Sequence, residues 1–311
     1  NYFKVLRAGI NTTFQDLGRK NLYHIGIPFS GAMDKRNFLI ANKLVGNNYN
    51  LPVIEFAYQG PQLKYFGDRM NISITGDVKF ILKKKKDVID GICYKTFTLE
   101  NEDEIDILST NKSVYGYLAI SGEVDVKYQW SSCSTNTKAN IGANDGKKLE
   151  LNQKINISKI NENLNHKSLK YINTKIENIR VLKATNFDYF SQKGKDTFFE
   201  KDFKVSKLSD RMGMRLEGPK IENVVDTNIK SEGLIKGVIQ VPADGNPIIM
   251  LSDHGTIGGY PKIGVVISAD YDKLVQLPPG SKIRFKEVNL SSAENLFKLY
   301  ELENQNLISQ I

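Results

Sequence analysis

Short runs of β-branched and aromatic residues, recurring about every ten positions and broken by Gly, Asp or Asn, constrain this chain more than any other feature. "FKVLRAG", "MNISITG", "VKFILKK", "YKTFTLE", "DEIDILS" and "YGYLAIS" fill the first half; "GVIQVP", "PIIMLS", "IGVVIS", "LVQL" and "KIRFKEV" fill the second. Such residues suit a pleated, half-buried surface, and turn residues at this spacing select a sandwich or a barrel. The expected fold class is therefore mainly β. Leu277-Pro278-Pro279-Gly280 reads as a turn, because Pro fixes φ and Gly accepts the left-handed region.

Helical patterns are few. Asp34 can cap a helix running to Gly46, with Phe38, Ala41 and Val45 on one face. A second helix starts near Ser292 as its N-cap, and Leu296, Leu299 and Leu302 form the face expected to dock. A chain of 311 residues exceeds the usual single domain. Residues 1–165 are expected to form one domain and residues 176–311 another. The Asn- and Lys-rich stretch 152–178 reads as a crossover, with His166 at its surface and "IRVLKA" at Ile179 opening the second domain. A short echo, Glu55 through Gly60-Pro61 to Leu63 against Arg215 through Gly218-Pro219 to Ile221, hints at duplication.

Composition narrows the function. At 40% hydrophobic and 25% charged residues the chain is an ordinary globular one. No apolar run approaches the roughly 18 residues of a membrane span, and "NYFKVLRAG" lacks a signal peptide's apolar core, so a cytoplasmic location without a membrane partner is expected. Cys93 and Cys133 make neither a disulfide framework nor a zinc site. His24, His166 and His254 show no metal-ligand spacing, so no metal is expected. The net charge of +8 raises nucleic-acid binding. However, the lysines are scattered, and Lys83-Lys84-Lys85-Lys86 sits between two strand-like runs as a solvated hairpin tip. No nucleic-acid partner is expected.

Candidate chemistry centres on Ser252–Gly264, "SDHGTIGGYPKIG". Gly258-Gly259 permits close approach or positive φ, and Pro261 stiffens the segment before Lys262. Lys262 suits negative charge, Tyr260 and His254 hydrogen bonds, and Asp253 orientation. A Gly-rich turn with incidental polar residues explains the same letters. Upstream, Gln240 either points into a barrel mouth or decorates an edge strand. Arg211 and Arg215 either fork onto a carboxylate or phosphate or pair with Asp210 or Glu217. In the first half, Gln15-Asp16 and Ser30-Gly31 lie in polar loops, the latter leading to the Asp34 helix. No GxxxxGK[ST], GxGxxG or GxSxG motif is present.

At this point six ordered segments acquire a meaning. "TTFQDLGR", "GIPFSGAMDKRNFLIANKLVGN", "YLAISGEVDV", "SDRMGMRLEGP", "SEGLIKGVIQVPADGNPI" and "GTIGGYPKIGVVISAD" resemble the 5-oxoprolinase C subunit, in the family also called allophanate hydrolase subunit 2 or biotin-dependent carboxyltransferase domain. The resemblance runs from Phe3 to Phe285. It implies two cyclophilin-like β-barrel domains with a few short helices. It also implies a lactam hydrolase subunit, inactive alone, that opens 5-oxo-L-proline to L-glutamate with the A and B subunits of that enzyme, ATP being bound with the partner. A related activity, carboxyl transfer from carboxybiotin to urea or a similar amide, would bring in biotin. A regulatory role, antagonising a kinase inhibitor, is a third possibility. On this reading Lys262, Tyr260, His254 and Asp253 carry the chemistry. Gln240, Arg211, Arg215, Gly258 and Gly259 hold a small amide or lactam, and the Gln15-Asp16 and Ser30-Gly31 loops close the opposite wall.

Overall fold

In the computed structural model, which describes residues 1–161, 164–171, 176 and 178–311, the first strand-like run becomes β1 (Tyr2–Arg7). Phe3 and Val5 point inward and Lys4 outward, the period-two pattern of a half-buried strand. The first unit comprises Asn1–Arg19, Ser30–Asn173 and Asn304–Ile311. Its strands are β1, β2 (Asn11–Gln15), β3 (Val53–Ala57), β4 (Gln62–Phe66), β5 (Met70–Thr75), β6 (Val78–Lys83), β7 (Val88–Asp90), β8 (Thr96–Leu99), β9 (Glu104–Thr110), β10 (Tyr115–Ile120), β11 (Gly122–Val124) and β12 (Lys154–Ile160). They pair as a seven-stranded sheet, β11-β12-β1-β4-β9-β6-β7, and a five-stranded sheet, β2-β3-β10-β5-β8. Phe3, Leu63, Phe80 and Ile105 from the first sheet and Phe56, Ile72, Ile74 and Leu118 from the second share one core.

β5 and β10 are buried at every position, because a helix covers their other face. That helix, α1 (Lys35–Leu44), is capped by Asp34, whose carboxylate accepts the Asn37 N–H at 2.9 Å. Thr75 and Ser73 donate to α1 carbonyls at 2.8 Å, tying sheet to helix. The lysine run turns the chain between β6 and β7 as expected. Lys83 and Lys84 fold back onto Asp106 and Asp103.

β12 corrects the expected crossover: residues 154–160 complete the larger sheet between β11 and β1. Lys154, Asn156, Ser158 and Lys159 fill its outward positions and hide the alternation of Ile155 and Ile157. Residues 162–163, 172–175 and 177 of that predicted stretch lie outside the described residues.

The second unit comprises Lys20–Phe29 and Thr174–Glu303. Its elements are β13 (Asn178–Lys183), α2 (Gln192–Glu200), β14 (Phe203–Val205), β15 (Gly213–Glu217), β16 (Glu232–Gly233), β17 (Val238–Gln240), β18 (Ile248–Met250), β19 (Ile257–Gly258), β20 (Lys262–Val266), α3 (Ser268–Val275) and β21 (Lys282–Glu287). Seven strands close a barrel in the order β13-β20-β17-β18-β15-β14-β21. A parallel β13–β21 pair makes the closure. β16 and β19 form a separate two-stranded ribbon.

"LVQL" is not a strand. Leu274 and Val275 end α3, where Tyr271, Leu274 and Val275 are buried at helical spacing. The turn after it stands as expected, with Gly280 at φ 86°. α2 carries no helical apolar stripe in the sequence, because its buried residues are Phe198 and Gly194. The last helix, α4 (Leu290–Ser309), is capped by Asn289, whose side chain accepts the Ser292 N–H at 2.8 Å, so Ser292 is not the cap. Its expected face is also corrected. Ala293, Tyr300 and Asn304 are buried, whereas Leu299 and Leu302 are more than half exposed.

Candidate active site

Lys262 opens β20 opposite Gln240, the last residue of β17, and the register between the strands shifts just before this pair. Such a bulge re-aims side chains. Lys262 is 4% exposed. Its backbone N–H and its Nζ both donate to the Asn186 amide oxygen, at 3.1 and 3.2 Å. Nζ also donates to the Glu232 carboxylate. A buried ammonium is costly without such partners. The Glu232 side chain remains 42% exposed, so the pair joins a buried cation to a carboxylate that meets solvent. The hydrogen bond from Lys262 holds the Glu232 carboxyl below the usual carboxylate range.

Glu232 reaches this place because β16 pairs with β19, setting Glu232 beside Gly258. Neither Gly258 nor Gly259 has positive φ; what Gly258 provides is close approach. A Cβ there would lie 2.6 Å from Gln240 Nε2 and 2.7 Å from Leu234 Cδ1. Gln240 is buried and donates to the Tyr260 carbonyl at 3.2 Å. The Tyr260 side chain stands at the surface, 39% exposed. Lys262, Gln240, Gly258 and the Tyr260 backbone thus form one polar cluster with Asn186 and Glu232. Gly258→Ala meets only the ends of the Gln240 and Leu234 side chains, which can swing aside. It should therefore displace the Gln240 amide and cost at most about 1 kcal/mol of stability, read by chemical denaturation. At Gly255 a Cβ would meet nothing nearer than 3.5 Å, so Gly255→Ala serves as the control and should stay within about 0.5 kcal/mol.

A second cluster forms in the same unit. Arg211 grips Asp253 with two bonds, Nε to Oδ2 at 2.8 Å and Nη2 to Oδ1 at 3.1 Å. Arg211 therefore engages Asp253, while the Asp210 carboxylate accepts the Met212 and Gly213 N–H groups and Glu217 accepts the Ser206 hydroxyl. Arg215 is exposed on β15 and joins neither cluster. His254 is 1% exposed and has both ring nitrogens engaged. Nδ1 lies 2.6 Å from the Gly255 carbonyl, which only accepts, so Nδ1 carries the proton. Nε2 then accepts from the Tyr23 hydroxyl at 3.0 Å. Burial pushes the His254 pKa down, in keeping with the neutral ring.

This arrangement has a pH signature. Above about pH 6.5 the ring is neutral in both folded and unfolded chains and contributes no difference. As pH falls below that value the unfolded chain takes up the proton first, so stability falls on acidification. The wild-type melting temperature should therefore drop more steeply between about pH 6.5 and 5 than that of His254→Gln. Parallel melting curves would remove His254 as the source.

In the first unit the structure ties Gln15, Asp16 and Ser30 to the 132–136 loop. Asp16 accepts from Ser132 Oγ (2.6 Å), Cys133 N (2.8 Å), Ser134 Oγ (2.5 Å) and Gly18 N (2.8 Å). Its carbonyl takes the Ala32 N–H at 2.9 Å. Gly31, at φ 85°, lets that loop close on Gly18, where a Cβ would lie 2.9 Å from the Gly18 nitrogen. Ser30 Oγ accepts from Asn136 at 3.1 Å. Gln15 donates to Thr13 and to the Thr135 carbonyl. Asp16, Ser30 and Gln15 are all buried and knit the 132–136 loop to β2.

Glu232 and Asn186 do not stand out in the sequence. Glu232 falls within the "SEGLIKGVIQV" run, but no local pattern pairs it with Lys262, thirty positions on. Asn186 lies in a short turn after β13. His24 and His166 are exposed. No group of His, Cys, Asp and Glu able to hold a metal occurs among the described residues, and none of their helices is long and apolar enough to cross a membrane.

Comparison with known proteins adds context. Residues 25–287 match the family described as carboxyltransferase domain, subdomain A and B. The chain is 32% identical over 296 residues to the 5-oxoprolinase C subunit of Escherichia coli, covering 93% of this chain and 92% of that protein. It is 28% identical to urea amidolyase of Saccharomyces cerevisiae, covering 94% of this chain but 17% of that protein. Among solved structures, urea amidolyase of Kluyveromyces lactis superposes with a TM-score of 0.89 at 27% identity. That match covers 98% of this chain and 20% of the other.

Proposed function

Because the chain belongs to the carboxyltransferase-domain family, subdomains A and B, we propose that it is the C-type subunit of an ATP-dependent 5-oxoprolinase. With its partner A and B subunits it opens 5-oxo-L-proline to L-glutamate. The full-length similarity to a protein named as the C subunit of 5-oxoprolinase supports this reading. The observation that carries it is the buried Lys262 ammonium beside Gln240, with Glu232 open to solvent.

A lactam is a planar amide whose carbonyl must be polarised before water attacks. Fixed donors in a partly dry site do this more strongly than water. Lys262 Nζ and Gln240 Nε2 supply such donors, and a ligand carboxylate or carbonyl can take the place of Glu232 on Lys262. ATP enters with the partner, where phosphorylation of the amide oxygen makes the carbonyl attackable. The test is reconstitution: the chain with the A and B subunits should release glutamate and hydrolyse ATP only when 5-oxoproline is present. Absence of such turnover removes the proposal.

The fold similarity to urea amidolyase favours a second reading, carboxyl transfer from carboxybiotin to urea or a similar amide. The same donor pair suits the carbonyl of urea or of the biotin ureido ring. Carboxylation of urea by the chain with a biotin carboxylase and a biotinylated carrier, without 5-oxoproline turnover, would select it.

A further inference from the structure

In the second unit the turn 277–280 delivers the chain into β21 beside an open cavity of about 500 Å³. Leu277 and Ile283, 5% and 1% exposed, line it from the core side. Asn178, Asp202, Ser281, Lys282 and Arg284 stand around them. Arg284 Nε and Nη2 both meet Asp202 Oδ1, at 2.8 and 2.7 Å, which fixes the guanidinium and leaves Nη1 for another acceptor. Among the described residues, the side chains of Asn178, Ser281 and Lys282 have no hydrogen-bond or ion-pair partner. An apolar floor with a few polar groups converging on it is the usual make-up of a small-molecule site.

Charge narrows the ligand. Lys282 and Arg284 against Asp202 leave one surplus positive charge on the lining. Lys204, on β14 directly across from Lys282, adds another beyond it. On its far side Lys204 stands opposite Glu217, which accepts the Ser206 hydroxyl. Like charges opposite one another destabilise a sheet, so a bound anion relieves what the facing lysines cost. We infer that the cavity is a second ligand site, taking a small organic monocarboxylate. The carboxylate meets Lys282 Nζ and Arg284 Nη1, and the apolar body lies on Leu277 and Ile283. A phosphomonoester, with nearly two negative charges, is the poorer fit because the second faces Asp202. The site stands apart from the Lys262 cluster. Asn178 opens β13, whereas Lys262 donates to Asn186, beyond the carboxyl end of that strand. The cavity therefore lies at the other end of the barrel.

The probe is para-trifluoromethylbenzoate, titrated into the full chain and followed by fluorine NMR. Saturable binding with a Kd of about 1 mM or tighter is expected, the scale for a ligand of this size. The matching benzylamine, the same ring with a cation, should bind at least about tenfold more weakly, and Lys282→Glu should weaken the benzoate by a similar factor. Lys282→Gln, which drops the charge and keeps the stem, should weaken it at least about threefold and covers the case in which Lys282→Glu fails to fold. Lys262→Ala should leave the affinity within about twofold, which separates this site from the lactam site. No saturable binding, equal binding of benzoate and benzylamine, undiminished binding by the Lys282 variants, or loss of binding in Lys262→Ala would overturn the inference. None of these outcomes depends on 5-oxoprolinase activity.

Discussion

Lys262→Ala should lower the 5-oxoproline-dependent turnover of the reconstituted assembly by at least about 100-fold, the scale of losing one charged donor to a developing oxyanion. The fold should survive the change. Glu232, left without its cation, is 42% exposed and can be hydrated, and Asn186 loses one of two bonds from the same residue. The melting temperature therefore separates a catalytic from a structural effect. Glu232→Gln is the companion variant: it keeps the ammonium and removes its counter-charge. On this reading it alters KM for 5-oxoproline more than kcat, since Glu232 competes with the ligand for Lys262. Turnover of Lys262→Ala within about twofold of wild type would reduce the cluster to scaffold.

Phe285→Ala should destabilise the second unit by about 3–5 kcal/mol, the usual cost of emptying a buried aromatic site. Phe285 is 2% exposed, stacks on Phe198 at a centroid distance of 4.4 Å and tilts against Phe203 at 5.9 Å. It also faces Ile179 across the parallel β13–β21 pair that closes the barrel. Truncation thus opens a cavity at the seam, where the rings of α2 and β14 have nothing else to fill it. Leu299→Ala, 56% exposed on α4, should stay within about 0.5 kcal/mol. A urea denaturation series on the two variants checks the contrast. Equal midpoints would mean the barrel core lies elsewhere.

Period-two runs such as β1 and "KIRFKEV" were legible because apolar and polar residues alternate there. β12 was not, since its outward Asn and Lys residues imitate a linker. "LVQL" misled because four apolar-rich letters carry no period of their own; Tyr271 upstream supplies the helical one. The α4 leucines misled for the opposite reason. A leucine marks a docking face only when something packs on it, and the buried positions fall at Ala293, Tyr300 and Asn304.

The site was half legible. Lys262, Gln240 and the glycines stood out by residue type and position. Glu232 and Asn186 did not, because the barrel brings them in from distant parts of the chain. Arg211 and Asp253 were each conspicuous, but their pairing is a product of the fold.

The division of the chain bears on how it can be cut. Lys20–Phe29 counts with the second unit and Asn304–Ile311 with the first. A break anywhere in the middle of the sequence would therefore leave each fragment short of a piece held by the other. The C-terminal fragment would lose Tyr23, stripping His254 Nε2 of its hydroxyl donor, and the N-terminal one would lose the Asn304 amide that meets Arg36. A single engineered cleavage between β12 and β13 should accordingly yield two pieces that stay together until denatured.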